Sequence, residues 1–204
     1  MESAELLFRE IEQAGLIIDN AWLIKQNDTL DRRTAHIYDC RTIDELRQQA
    51  QSKSLSEEEF MYSLHRWRNF KRHEAWMSLL FEQVPQISLP ENAFHKKQDF
   101  FIATAEGESV PFDLKVTRYP KALPPGAPDK VLAEWFYENQ SKQGRFHLAN
   151  RFFIVGQPEA ALYDISLARQ TVGKFVEKMS NFRHFIEHSD GTRSRAVILR
   201  QKNE

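Results

Sequence analysis

Asp113 and Lys115 lie two residues apart in Val110-Pro-Phe-Asp-Leu-Lys-Val-Thr117, and Asp99 opens a second apolar run, Phe100-Phe-Ile-Ala103. Residues i and i+2 of a strand point to the same side. If both runs are strands, Asp113, Lys115 and Thr117 share one face, while Phe112, Leu114 and Val116 share the other. The octapeptide then carries a carboxylate beside an ammonium on the back of a buried apolar row. Ala105-Glu-Gly-Glu-Ser109, with Gly107 as the turn former, is expected to join the two runs as a hairpin. Two carboxylates at one end of that hairpin, with a lysine one pleat along, can hold a divalent cation and position a water beside it.

The elements needed to hold these groups can be read around them. Ser3 is expected to cap a helix over Ala4–Ala14, with Gly15 just past its end. Thr34–Tyr38 reads as a short strand. Thr42-Ile-Asp-Glu45 and Ser56-Glu-Glu-Glu59 are capping boxes, each opening a helix. The first helix runs to about Ala50, and Gln51–Ser54 reads as a linker. The second carries Phe60, Leu64, Trp67, Trp76, Leu79 and Leu80 and ends before Pro85, with a break expected near Asn69. Lys96–Ala103 and Val110–Thr117 form the hairpin, and the proline-rich Tyr119–Pro128 is a loop. Asp129 caps a helix that ends before Gly144. Arg151–Val155 reads as a buried strand, Leu167–His188 as a helix closed by Gly191, and Ala196–Leu199 as a last strand.

An acid, a turn and an acid-x-lysine on an apolar strand, preceded by a helix bearing a glutamate, resembles the PD-(D/E)xK nuclease superfamily. The resemblance covers about residues 56–156 and rests on Asp99, on Asp113-Leu114-Lys115 and on Glu74. Gln98 stands where that family usually has proline, and Asp113 is the less common of its two acids. Asp113-x-Lys115 is the only acid-x-lysine in the chain. The resemblance implies an α/β fold of the restriction-endonuclease-like type, a mixed central sheet flanked by helices, over residues 56–204. A mostly helical region, residues 1–55, would precede it. It also implies Mg²⁺ (or Mn²⁺) held by Asp99, Asp113 and the Leu114 carbonyl, with Glu74 assisting, and Lys115 serving the attacking water. The implied activity is phosphodiester hydrolysis, on DNA rather than RNA. Such chemistry develops charge on the attacking, leaving and non-bridging oxygens, and carboxylate-held Mg²⁺ with a nearby ammonium can stabilise that charge.

Arg66, Arg68, Lys71 and Arg72, interleaved with Trp67 and Phe70, form the densest basic stretch. On the nuclease reading, Arg72, Lys96, Lys97 and Arg118 are the expected phosphate contacts. Gln140 follows the lysine strand, where some members of that family carry a glutamine. Each has an ordinary reading beside it: a solvated helix face, or for Asp113–Lys115 a surface ion pair contributing under about 1 kcal/mol. A non-catalytic interaction or nucleic-acid-binding protein on the same scaffold therefore stays open.

Bulk properties narrow the classes. The formal net charge of −1 gives no global attraction for nucleic acid, so any basic surface must be local. Cys40 is the only cysteine, which excludes an internal disulfide framework and a four-cysteine zinc site and suits a reducing compartment. The opening Met-Glu-Ser-Ala-Glu lacks the basic and apolar regions of a secretory signal, and no run approaches a membrane span. An intracellular, cytoplasmic protein without membrane contact is expected; a homodimer is compatible with the sequence. His184-Phe-Ile-Glu-His188 matches an inverted zinc-peptidase pattern, but too little sequence follows to supply its third ligand. His73-Glu74 is followed by Met77 where a second zinc-binding histidine is required.

Overall fold

The computed structural model describes residues 2–18, 28–90, 98–104, 107–139, 149–179, 184–188 and 191–202. The chain divides into two compact units, Met1–Ala75 and Trp76–Glu204. Together they give a mixed α/β protein whose described residues form six α-helices and one six-stranded mixed sheet.

The first unit is helical, and its helix starts follow from the sequence. α1 (Ala4–Ile17) begins at Ser3, whose hydroxyl accepts the Leu6 N–H. α2 (Asp28–Arg33) leads into a 3₁₀ turn, Ala35–Tyr38. The strand expected at Thr34–Tyr38 is thus wrong: Ile37 N–H bonds back to the Thr34 carbonyl and Asp39 N–H to that of His36. Those local bonds bury His36 and Ile37 by a tight turn, which four residues of alternating pattern cannot distinguish from a strand. α3 (Ile43–Ser52) starts at Thr42, whose Oγ1 accepts the Glu45 N–H. Gln51 and Ser52 complete that helix, so half of the expected linker is helical; Ser54, at φ 51°, makes the turn out of it. α4 (Glu57–Gln83) opens with a complete capping box, Glu59 N–H to Ser56 Oγ and Ser56 N–H to Glu59 Oε2. It runs without the break expected near Asn69.

Ala14, Ile18, Ile37, Cys40, Ile43, Leu46, Leu64 and Trp67 form the core of this unit. The indole N–H of Trp67 donates to the Cys40 carbonyl, 2.9 Å, and the buried Glu10 carboxylate accepts the Ile43 N–H, 3.0 Å, at the start of α3. Both bonds remove the cost of burying a polar group.

The second unit is built on the sheet, in the order β1-β2-β3-β4-β6-β5. β1 (Ile87–Ser88), β2 (Phe100–Ala103) and β3 (Ser109–Arg118) are antiparallel. β3, β4 (Arg151–Gln157) and β6 (Arg193–Lys202) run parallel, and β5 (His184–Glu187) returns antiparallel on β6. The expected hairpin is present as β2–β3, with Phe100 opposite Phe112, and β4 is buried from Arg151 to Gly156. One sheet face buries Phe112, Leu114, Phe152 and Ile154; Phe152 stacks edge-on against Phe175 of α6 (Ile165–Lys178). The opposite face packs Phe153, Val155, Ala196 and Ile198 against Leu132, Ala133, Phe136 and Tyr137 of α5 (Asp129–Asn139). At Gly156 an added Cβ would lie 2.4 Å from Leu162, which sits in a 3₁₀ turn (Glu159–Tyr163), so only glycine admits that turn against the strand.

One expected helix is two elements. Leu167–His188 ends its helix at Lys178, and His184–Glu187 is β5, with Ile186 buried and Phe185 exposed. Gly191, at φ 80°, closes the β5–β6 hairpin rather than a helix. The H-x-x-E-H stretch is therefore extended, and cannot present its histidines and glutamate on one helical turn. Among the described residues, no helix is long and apolar enough to cross a membrane.

Candidate active site

Proline in the middle of β3 is the first clue to how this end of the sheet is organised. Pro111 lacks an N–H, so Phe101–Pro111 cannot be a pair that exchanges hydrogen bonds. Phe112 therefore turns its N–H and C=O toward β2, as does Leu114 two residues on. Pro111 and Asp113 turn theirs the other way. Asp113 N–H duly donates to the Asn150 carbonyl, 3.0 Å, and the Pro111 carbonyl accepts from Asn150 Nδ2, 3.0 Å. The parallel register begins only at Asp113–Arg151, so the missing proline N–H points past the start of β4 and leaves no strand bond unmade.

β2 begins at Phe100, opposite Phe112, two residues too late to pair with Leu114. Asp99 makes up the shortfall: its Oδ2 accepts the Leu114 N–H at 2.7 Å, while its own N–H donates to the Phe112 carbonyl at 2.8 Å. The Leu114 C=O leaves the strand on the same side as its N–H, toward Asp99. The carbonyl thus emerges on the side of β3 where Asp99 caps the end of β2.

Asp113 and Lys115 share the α5 side of β3. Lys115 Nζ lies 3.0 Å from Asp113 Oδ1 and 2.8 Å from Oδ2, so it holds both carboxylate oxygens. Arg151, the cross-strand partner of Asp113, brings Nε to 4.0 Å from Oδ2. Its side chain is 4% exposed against 41% for Lys115. Its guanidinium lies 5.1 Å over the ring of Tyr137, whose hydroxyl donates to the Ala149 carbonyl. Burial pushes the Asp113 carboxyl above its ordinary 3.8; Lys115 pulls it back, the neighbouring Asp99 charge raises it again, and Arg151 lowers it. Burial likewise raises the Tyr137 phenol well above its usual value, which keeps it neutral.

These groups fit a hard cation in kind: two carboxylates whose charges influence one another, and a main-chain carbonyl between Asp113 and Lys115. Among the described residues, no group of three or more His, Cys, Asp or Glu side chains gathers anywhere. Two carboxylates are enough for Mg²⁺, which keeps several waters and binds through one or two such groups. Glu74 belongs to the first unit, on α4, where Lys71 Nζ holds its Oε2 at 2.7 Å.

The basic stretch around it is mostly occupied. Arg66 donates to the Asp31 carbonyl, Thr34 Oγ1 and Tyr38, and pairs with the Asp31 carboxylate at 3.3 Å. Arg68 donates to the Ile11 carbonyl, and Lys71 is buried against Glu74. Arg72 is half-buried on α4, and Arg118 is exposed at the end of β3, 4.0 Å from Glu159. Lys96, Lys97 and Gln140 lie outside the described residues.

Asn150 and Arg151 escaped the reading of the sequence. Asn150 ties three strand starts together, its carbonyl and Nδ2 to β3 and its Oδ1 to the Arg195 N–H of β6, 2.7 Å. A polar pair set directly before the apolar Phe152-Phe-Ile-Val155 was the available signal. Compared with known proteins, the chain matches no family model, no curated protein and no solved structure.

Proposed function

We propose that this protein is a metal-dependent nuclease that hydrolyses phosphodiester bonds, in DNA, on a restriction-endonuclease-like arrangement of the second unit. One observation carries the reading: Asp99 bonds the backbone of Leu114, the residue between Asp113 and Lys115, which puts an acid beside the acid–lysine pair in the middle of β3. The parallel β3–β4–β6 centre with α5 on the site face supports it.

Asp99, Asp113 and the Leu114 carbonyl would hold Mg²⁺ or Mn²⁺. The cation supplies a Lewis acid for the phosphoryl oxygens and an acidified water. Asp99 keeps the edge of β3 and the carbonyl in register. Lys115, more exposed than its partner, is placed to orient the water and to stabilise negative charge beside it. Asp113 sets where that ammonium sits. Near-zero net charge leaves phosphate attraction to a few local cations, of which Arg118 is the exposed one nearest in sequence.

The test is cleavage of duplex DNA with Mg²⁺ or Mn²⁺ by wild type, Asp113→Asn and Lys115→Ala, each checked by a thermal melt. The reading expects cutting by wild type alone and all three folded. Wild type that never cuts, with both variants unfolding, would make the acid–lysine pair structural and favour a non-catalytic interaction protein.

A further inference from the structure

The arrangement around Asp113 contains a cation that the nuclease reading does not use. Arg151 is the first residue of β4 and is almost wholly buried, 4% exposed at its side chain. Its Nε is buried and has no hydrogen-bond partner among the described residues. A buried guanidinium nitrogen left without an acceptor is costly, because it has given up water and gained nothing. The acceptor it faces is Asp113 Oδ2, 4.0 Å away, beyond hydrogen-bond reach but within an ion pair. Beneath it the Tyr137 ring, fixed by its bond to the Ala149 carbonyl, holds the guanidinium in that place.

Lys115 contacts both oxygens of Asp113 yet leaves each a lone pair, and a cation taken up there would push the ammonium away. What would then keep Asp113 in place is the donor behind it. We infer that Arg151 is a positioning residue of this site, whose Nε holds Asp113 from the buried side so that the carboxylate can face a divalent cation. The inference rests on the metal-dependent reading above. It accounts for three facts at once: the orphan nitrogen, the cross-strand placement and the aromatic floor.

A counter-ion of purely electrostatic effect predicts the opposite sign. A positive charge beside a cation site repels the cation, so deleting it would tighten binding. Removing a residue that orients a ligand weakens binding, commonly by about tenfold to a hundredfold. The experiment is Mn²⁺ binding to the metal-free full chain, by calorimetry or electron paramagnetic resonance, for wild type, Asp113→Asn, Arg151→Met and Arg151→Lys, each with a melt. Arg151→Lys keeps the charge but puts a methylene where Nε was. Both Arg151 variants are expected to fold and to bind Mn²⁺ about tenfold or more weakly than wild type. Tighter binding by Arg151→Met, with Arg151→Lys like wild type, overturns the inference in favour of a bare counter-ion. Should one variant not fold, the other decides by the same comparison; loss of fold in both overturns the inference by making Arg151 structural. Wild type that binds no Mn²⁺, or binds it equally after Asp113→Asn, removes the metal reading itself, an outcome distinct from the others.

Discussion

Arg66 and Arg151 are both largely buried arginines, one in each compact unit, and they are satisfied very differently. Arg66 in the helical unit has two oxygen acceptors besides the Tyr38 hydroxyl and a carboxylate at 3.3 Å. Arg151 in the sheet unit has a carboxylate at 4.0 Å, an aromatic ring and, among the described residues, no acceptor for its Nε. A buried charge with its hydrogen bonds filled fixes a fold. One with a donor unfilled retains something to offer a change in its neighbour. The acids differ too: Glu10 and Glu59 each hold a helix start, Glu59 with Arg33 beside it, whereas Asp113 is shared between two cations of unequal exposure.

The largest effects should separate the units most sharply. Asp113→Asn and Lys115→Ala are each expected to lower Mg²⁺-dependent DNA cleavage by about a thousandfold, the scale of losing one electrostatic stabiliser. Their melting temperatures should stay level or rise slightly, because charges gathered for function are costly to the fold. Arg66→Met should do the reverse, destabilising the first unit by about 2 kcal/mol, because the Asp31 carbonyl and the buried Thr34 hydroxyl lose a charged donor. Its denaturant midpoint measures this, and a neutral outcome would erase the distinction between the two arginines.

Asp99→Asn is subtler, since an asparagine oxygen can still accept the Leu114 N–H. The fold should persist while the charge is lost. Duplex-DNA affinity of wild type should rise by about tenfold, or about 1.4 kcal/mol, when Ca²⁺ is added as a non-hydrolysing substitute. The variant should bind slightly tighter without metal and ignore Ca²⁺. Titrations of both proteins with and without Ca²⁺ decide it; equal responses would take Asp99 out of the site.

The smallest effects are in pH, and they carry opposite signs in the two units. His36 is buried, and burial lowers its pKa below 6.5, helped by Lys53 and opposed by the Arg33 backbone. The unfolded chain then binds the extra proton, so this stability is present above pH 6.5 and is lost as pH falls below it. His36→Leu should flatten that loss in melts across pH 5–7.5. Asp113 is raised above 3.8 by burial, so the folded state keeps the proton longer, and its contribution declines as pH rises above that value. The stability of Asp113→Asn relative to wild type should accordingly improve as pH rises from about 4.

Much of the frame was legible because it is local. Capping boxes announce themselves by a hydroxyl and a carboxylate three residues apart, and the helix starts at Thr42 and Ser56 followed. Period-two alternation through Val110–Thr117 placed Asp113 and Lys115 on one face before any partner strand was known. Segments of four or five residues were the weak point, since a short apolar run suits a strand, a 3₁₀ turn or a helix end equally. Thr34–Tyr38 and His184–Glu187 were misread for that reason; only pairing with β6 made the latter a strand.

By itself the sequence determined which residues could do chemistry and which face of β3 would carry them, because side-chain alternation depends on neighbours along the chain. Only the tertiary structure decided what stands beside them. Asp99 reaches Leu114 across a hairpin, Arg151 comes behind Asp113 through parallel pairing 38 positions on, and Asn150 joins three strands. Those contacts depend on register between distant segments, and register is set by the packing of the whole sheet.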